Sequence, residues 1–171
     1  MERIVATKLM NHLEQNGYVD SHQSAYRPLH SCETSLLFVK SSILTAMDNK
    51  RVTLLAMLDL SAAFDTVDHQ LLLNKLEKSA VGGKALGWMR HYLNGRLQSV
   101  LVNGTSSTAR PLQRGVPQGS VLGPILFTVC VRDLASVIHC HGEIQHRMCA
   151  DDLQIWISTS PTDAPSALVK L

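Results

Sequence analysis

Apolar residues recur at helical spacing near the start of the chain. Ile4, Val5, Leu9 and Leu13 share one face of a helix predicted over residues 3–15, ending near Gly17. HQSAYRPLH (22–30) is loop-like and leads to Ser31, a residue type that caps helices; Leu36, Leu37, Val39, Ile43, Leu44 and Met47 mark the helix expected after it. The period then changes. VTLLAMLDL (52–60) is a short, almost continuous apolar run, which predicts a buried strand. Asp68 is placed to cap a third helix that stops at Gly82–Gly83, and a fourth runs over about 84–94 with Trp88 and Tyr92. In QSVLVNGTSS (98–107), Asn103–Gly104 between extended stretches predicts a hairpin. QRGVPQGS (113–120) reads as a loop and residues 121–138 as a helix. EIQHRMC and LQIWIS then flank Ala150–Asp151–Asp152 as strand, tight turn and strand. The order α, α, β, α, α, hairpin, α, hairpin predicts an α+β fold, a sheet with helices on one face, rather than alternating βαβ units.

The remaining bulk properties narrow this only a little. A chain of 171 residues suits one domain with a real core, and 45% hydrophobic with 18% charged residues is a globular composition. The longest apolar run, VLGPILFTVCV (121–131), is broken by Gly123 and Pro124 and is too short to span a bilayer, so no membrane partner is expected. MERIVATKLM lacks the apolar core of a signal peptide. Cys32, Cys130, Cys140 and Cys149 follow no framework spacing, which points to a reduced, intracellular setting. A net charge of +2 neither demands nor excludes a nucleic-acid partner; any basic surface has to be local. Arg90, His91 and Arg96 beside Trp88 and Tyr92 form one such patch, with a solvated helix end as the competing reading.

The acidic residues carry the chemistry. Two carboxylates about 4 Å apart repel by about 1 kcal/mol in bulk water and about 4 kcal/mol at an effective dielectric near 20. The plain explanation of Asp151–Asp152 is an exposed turn, where aspartate is common. Asp59, however, interrupts the apolar run 52–60, and an unpaired carboxylate inside a strand is costly. It has to lie at the strand's end or meet a cation. If that strand lies beside the hairpin around Asp151, the acids converge at one sheet edge. A few hard carboxylate oxygens with room left for phosphates are what Mg²⁺ prefers. Two such ions suit phosphoryl transfer.

Three stretches in order then resemble the reverse transcriptase domain of non-LTR (LINE-type) retrotransposons. LDLSAAFDTVDH (58–69) resembles motif A, QRGVPQGSVLGPILF (113–127) motif B, and CADD (149–152) the [FY]xDD box of motif C. HQSAYRPLHSCETSLL (22–37) is similar to the fingers motif QxGFRxxxSxxxAL. The match covers roughly residues 1–158. The resemblance implies the palm of a right-hand polymerase, an antiparallel sheet backed by helices, with fingers in 1–50, palm in 51–160, a truncated tail in 161–171 and no thumb. It implies an RNA-directed DNA polymerase that transfers deoxynucleotides to a primer 3′-OH. Its partners would be an RNA or DNA template with primer, and deoxynucleoside triphosphates. Asp59, Asp151 and Asp152 would be catalytic and hold two Mg²⁺, with Mn²⁺ as a substitute, helped by the Leu60 carbonyl. Phe64 matches the residue that blocks a ribose 2′-OH, Gln118 and Gly119 would contact nucleotide and template, and Arg27 would meet the triphosphate.

The sequence departs from the family at Cys149, where an aromatic is usual, and at Ala25–Tyr26, where the family has Gly-Phe. Lys170 sits in no version of the family's later lysine motif. The family's earlier fingers segment is missing before Met1, so a piece of a larger polymerase, or a catalytically inactive remnant that binds nucleic acid or protein, is expected. A metal-dependent nuclease using the same acids is a third option, disfavoured by the PQG motif. Asp68 reads as a helix cap rather than a metal ligand; Asp65 reads equally as a turn residue or a brace. In HCHGEIQHRMC (139–149), His139, Cys140, His141, His146 and Cys149 match no standard zinc spacing, and a strand has to run through 144–149, so no zinc site is expected there.

Overall fold

The computed structural model describes residues 1–60 and 62–171; Ser61, inside LDLSAAFD, lies outside the described residues. The elements in order are α1 (Glu2–Gln15), α2 (Cys32–Asp48), β1 (Val52–Asp59), α3 (His69–Lys78), α4 (Gly83–Leu93), β2 (Leu97–Gln98), β3 (Leu101–Val102), β4 (Thr105–Ser106), β5 (Arg110–Pro111), α5 (Gly123–His139), β6 (Gln145–Cys149), β7 (Asp152–Thr159) and α6 (Ala164–Lys170). The chain divides into two compact units. Met1–Asn16 with Ala62–Cys130 form one, and Gly17–Ser61 with Val131–Leu171 form the other.

The second unit holds a three-stranded antiparallel sheet in the order β1-β7-β6. β1 runs in register from Val52 opposite Thr159 to Asp59 opposite Asp152. The pleat sends alternate side chains to opposite faces. Met148, Leu153 and Ile155 form one buried face with Ile138 and Ile144, and Ala56, Val131, Leu134 and Leu171 pack against it. The other face carries Trp156, whose ring lies 6.3 Å from that of Phe38 in α2, and Arg147, whose guanidinium sits 3.9 Å over Phe38. Ser31 caps α2 as expected: its hydroxyl accepts from the Thr34 N–H at 3.1 Å, and Thr34 returns a bond to the Ser31 backbone.

Two expectations are corrected in this unit. β1 is not buried. It is an edge strand, and Met57 is 74% exposed. A continuous apolar run signals burial only when packed layers cover both faces of the strand, and here Leu55, Met57 and Leu58 are exposed. The cysteines are not all free either. Cys32 and Cys149 are joined in a disulfide with Cα atoms 5.7 Å apart across a separation of 117 residues, while Cys130 and Cys140 are not disulfide-bonded. A pairing that distant leaves no local spacing to read. α6 was not anticipated at all.

In the first unit α3 and α4 pack together. Leu13, Leu72, Leu76, Leu93, Leu122 and Leu126 are fully buried there. Asp68 caps α3 by accepting from the Leu71 N–H at 2.9 Å. α3 ends at Lys78, not at Gly82–Gly83; those glycines open α4 instead. The Asn103–Gly104 hairpin pairs Val102 with Thr105. A second short ladder, Gln98 opposite Arg110, encloses it.

Candidate active site

Asp59 ends β1 and stands directly opposite Asp152, the first residue of β7. The Leu60 N–H donates to the Asp151 carbonyl at 3.2 Å. Antiparallel pairs alternate between bonded and non-bonded, so the next pair, Asp59 and Asp152, is of the non-bonded kind, in which Cα atoms approach to about 4.5 Å and side chains lie closest. Like charges directly opposite are unfavourable in such a pair. Both residues are exposed. Asp151 is half-buried and follows Ala150, whose φ of +60° makes the tight turn. The fold therefore brings all three acids to one end of one sheet.

The turn is held from behind by Gln23. This side chain is 1% exposed. Its Oε1 accepts from the Ala150 N–H at 3.1 Å and the Ala25 N–H at 2.9 Å, and its Nε2 donates to the Ala150 carbonyl at 3.4 Å. The neighbouring backbone continues the ladder in parallel. The Met148 N–H donates to the His22 carbonyl at 3.0 Å, and the Ser24 N–H to the Met148 carbonyl at 2.8 Å. Gln23 is the Q of the fingers motif, so its position was visible in the sequence although its role was not.

Arg27 lies in the same loop. Its Nη1 donates to the carbonyls of Asp20 and Gln23 at 3.0 and 3.1 Å, which closes the loop on itself. Tyr26, at φ +60°, has its phenol pushed above the ordinary value by burial and by the charge of Asp151.

Phe64, Gln118 and Gly119 belong to the first unit. Phe64 is half-buried and stacks on Phe127, ring centroids 4.9 Å apart. The Gln118 Nε2 donates to the Asp65 Oδ1 at 3.1 Å, so Asp65 braces the motif B loop. Gly119 is exposed, with φ +76°. Gly115, which sequence reasoning passed over, joins the two motifs. Its N–H donates to the Val67 carbonyl at 2.8 Å, and the Val116 N–H donates to the Phe64 carbonyl at 2.8 Å. At φ +88°, a Cβ on Gly115 would stand 3.0 Å from the Asp65 Cα and carbonyl oxygen. Only glycine allows that approach. Beside this loop runs an open groove lined by Arg96, Gln98, Arg114 and Gln118. Arg96 also sits 4.4 Å over the Tyr92 ring, which stacks on Trp88.

Comparison with known proteins bears on the family and the fold. A family model described as reverse transcriptase (RNA-dependent DNA polymerase) matches residues 1–171. A probable RNA-directed DNA polymerase from transposon X-element of Drosophila melanogaster is 33% identical over 153 residues, covering 89% of this chain and 17% of the relative. The RNA-directed DNA polymerase from mobile element jockey of Drosophila funebris is 30% identical over 173 residues, covering 98% of this chain and 19% of the relative. The chain thus spans less than a fifth of the length of these relatives. Among solved structures, apo telomerase from Candida tropicalis superposes with a TM-score of 0.64 over 99% of this chain and 33% of that one, at 14% identity. That likeness establishes the α+β polymerase fold. With motifs A, B and C in order and the family model matched end to end, the chain belongs to the reverse transcriptase family, in the branch carried by non-LTR retrotransposons.

Proposed function

We propose that this chain is the fingers (1–50) and palm (51–160) portion of an RNA-directed DNA polymerase, and that it carries the residues for deoxynucleotide transfer to a primer 3′-OH. The observation that carries this reading is the register of β1 on β7, which sets Asp59 opposite Asp152 with Asp151 in the adjoining turn. Reverse transcriptases as a family use divalent metals. Three hard carboxylates whose mutual repulsion a cation would relieve fit that class of ion. Asp59, Asp151 and Asp152, with the Leu60 carbonyl, would hold two Mg²⁺, and Mn²⁺ would substitute. When bound, such ions polarise the attacking primer hydroxyl and neutralise charge on the departing pyrophosphate.

The protein's own contribution is placement. Gln23 fixes the turn that presents Asp151. Phe64, backed by Phe127, presents a ring that would collide with a ribose 2′-OH, which selects deoxynucleoside triphosphates. Gln118, braced by Asp65, and Gly119, which offers an exposed backbone without a side chain, would meet the incoming nucleotide and the template. Arg27 would meet triphosphate oxygens with its guanidinium. Arg96 and Arg114 would track the template–primer backbone.

Primer extension on poly(rA)/oligo(dT) with Mg²⁺ tests the proposal. The chain should extend the primer, and Asp151→Asn should not. Retained binding of template–primer by a chain that never extends it would replace synthesis with simple nucleic-acid binding. Degradation of the labelled primer would replace it with a nuclease.

A further inference from the structure

Three imidazoles converge in the second unit, each from a different element. His22 comes from the loop before α2, His139 is the last residue of α5, and His146 is the second residue of β6. One ring nitrogen of each lies within 4.8 Å of those of the other two. Ring centroids are 4.6 Å apart for His22–His146, 5.1 Å for His139–His146 and 5.6 Å for His22–His139. The rings meet at 50°, 70° and 60°, tilted or edge-on rather than face to face.

Asp20 orients two of them. Its Oδ2 lies 2.9 Å from the His146 Nε2, and its Oδ1 lies 3.2 Å from the His22 Nδ1 and accepts the His22 backbone N–H at 3.0 Å. An ionised carboxylate only accepts, so each imidazole donates through the nitrogen facing it. The opposite nitrogen, Nε2 of His22 and Nδ1 of His146, is then left with its lone pair. A carboxylate behind a histidine, setting its tautomer and raising its basicity, is the usual companion of an imidazole that binds a metal. Burial adds to the preorganisation. His146 is 2% exposed and His22 half-buried, while the exposed His139 leaves a way in for an ion.

We propose that His22, His139 and His146 form a binding site for a divalent transition metal, Zn²⁺ in the first place, with Asp20 orienting the ligands and the fourth position open to water. Three neutral nitrogen donors select this class of ion over Mg²⁺, which prefers oxygen. The site is thus chemically distinct from the carboxylates of Asp59, Asp151 and Asp152. It has a structural consequence for them. His22 precedes Gln23, and its carbonyl accepts from the Met148 N–H. An ion tying His22 to His146 locks the 20–27 loop onto β6, and with it the amide that holds Ala150. The metal positions the catalytic turn without touching substrate.

The test uses the whole 171-residue chain, stripped with a chelator and titrated with Zn²⁺ against a chromogenic competitor in excess Mg²⁺, with Co²⁺ as a spectroscopic probe. One ion per chain should bind, and Co²⁺ should develop the visible bands of low-coordinate nitrogen ligation. His139→Ala removes an exposed ligand and should leave the fold intact, yet weaken binding by about tenfold or more. His22→Ala should do the same, whereas Asp151→Asn and Cys140→Ser should leave affinity unchanged. Amide exchange at Met148 and Ala150 should slow on Zn²⁺ addition. No Zn²⁺ binding overturns the proposal. So does unchanged affinity in both histidine variants, or loss of binding in Cys140→Ser or Asp151→Asn, which would place the ion elsewhere. Binding without slower exchange overturns the positioning role.

Discussion

Replacing Gln23 by alanine probes the clamp on the catalytic turn. The side chain is 1% exposed and makes three hydrogen bonds, two to the Ala150 peptide groups and one to the Ala25 N–H. Truncation removes all three and leaves those backbone groups without their partner. An orphaned buried group costs about 1–3 kcal/mol, and a typical bond is worth about 1 kcal/mol net. Ala25 and Ala150 are themselves half-buried, so water recovers part of the loss. The total comes to about 2–4 kcal/mol. At about 3 °C per kcal/mol for a chain of this length, the melting temperature should fall by about 6–12 °C. Gln23→Glu keeps both acceptor bonds, but it loses the bond to the Ala150 carbonyl and buries a negative charge beside Asp151; it should be at least as harmful. Differential scanning calorimetry gives the stability, and hydrogen exchange at Ala150 reports the turn itself. In primer extension, a loosened Asp151 should lower turnover by about a hundredfold, the usual cost of an ångström's misplacement. The reasoning fails if Gln23→Ala melts within about 1 °C of the parent and exchange at Ala150 is unchanged.

Other outcomes follow from single contacts. Gly115→Ala combines a positive φ with backbone atoms 3.0 Å from the new Cβ, and it should destabilise by about 2 kcal/mol or more, read from urea midpoints. Reducing the Cys32–Cys149 bond, which closes a loop of 117 residues, should lower unfolding free energy by about 4 kcal/mol; Cys32→Ser should abolish that sensitivity to reductant. Asp152→Asn should eliminate extension yet raise metal-free stability by a few tenths of a kcal/mol, because it relieves the repulsion across the Asp59 pair. Glu2 accepts from the Leu122 N–H and the Tyr92 hydroxyl, and its carboxyl is held below its ordinary 4.5, the Leu122 bond being the largest cause. A depressed carboxylate stabilises above its unfolded value and loses that stabilisation as pH falls through the folded one. Stability should therefore drop below pH 4.5, and Glu2→Gln should blunt that part of the acid limb in a pH series of melts.

Helices, caps and hairpins were legible because they depend on neighbours in sequence. Ser31 and Asp68 cap where expected, since a hydroxyl or carboxylate needs only the next turn of backbone to bond. The Asn103–Gly104 turn and the turn before Asp151 were legible for the same reason. The motif order made the family readable, and Asp59, Asp151 and Asp152 were readable as candidates because carboxylates inside apolar runs demand an explanation. β1 was misjudged because an apolar run reports what a strand is made of, not which layers cover its faces.

By itself the sequence determined the local elements, the family and the identities of the acidic residues, all of which rest on short-range chemistry or on ordered motifs. Tertiary structure alone decided the rest. The register that opposes Asp59 to Asp152, the Gln23 amide beneath Ala150, the Cys32–Cys149 bond and the meeting of His22 with His139 and His146 each join residues some ninety positions or more apart. Such pairings depend on how the sheet and loops close in space, and no spacing along the chain encodes that closure.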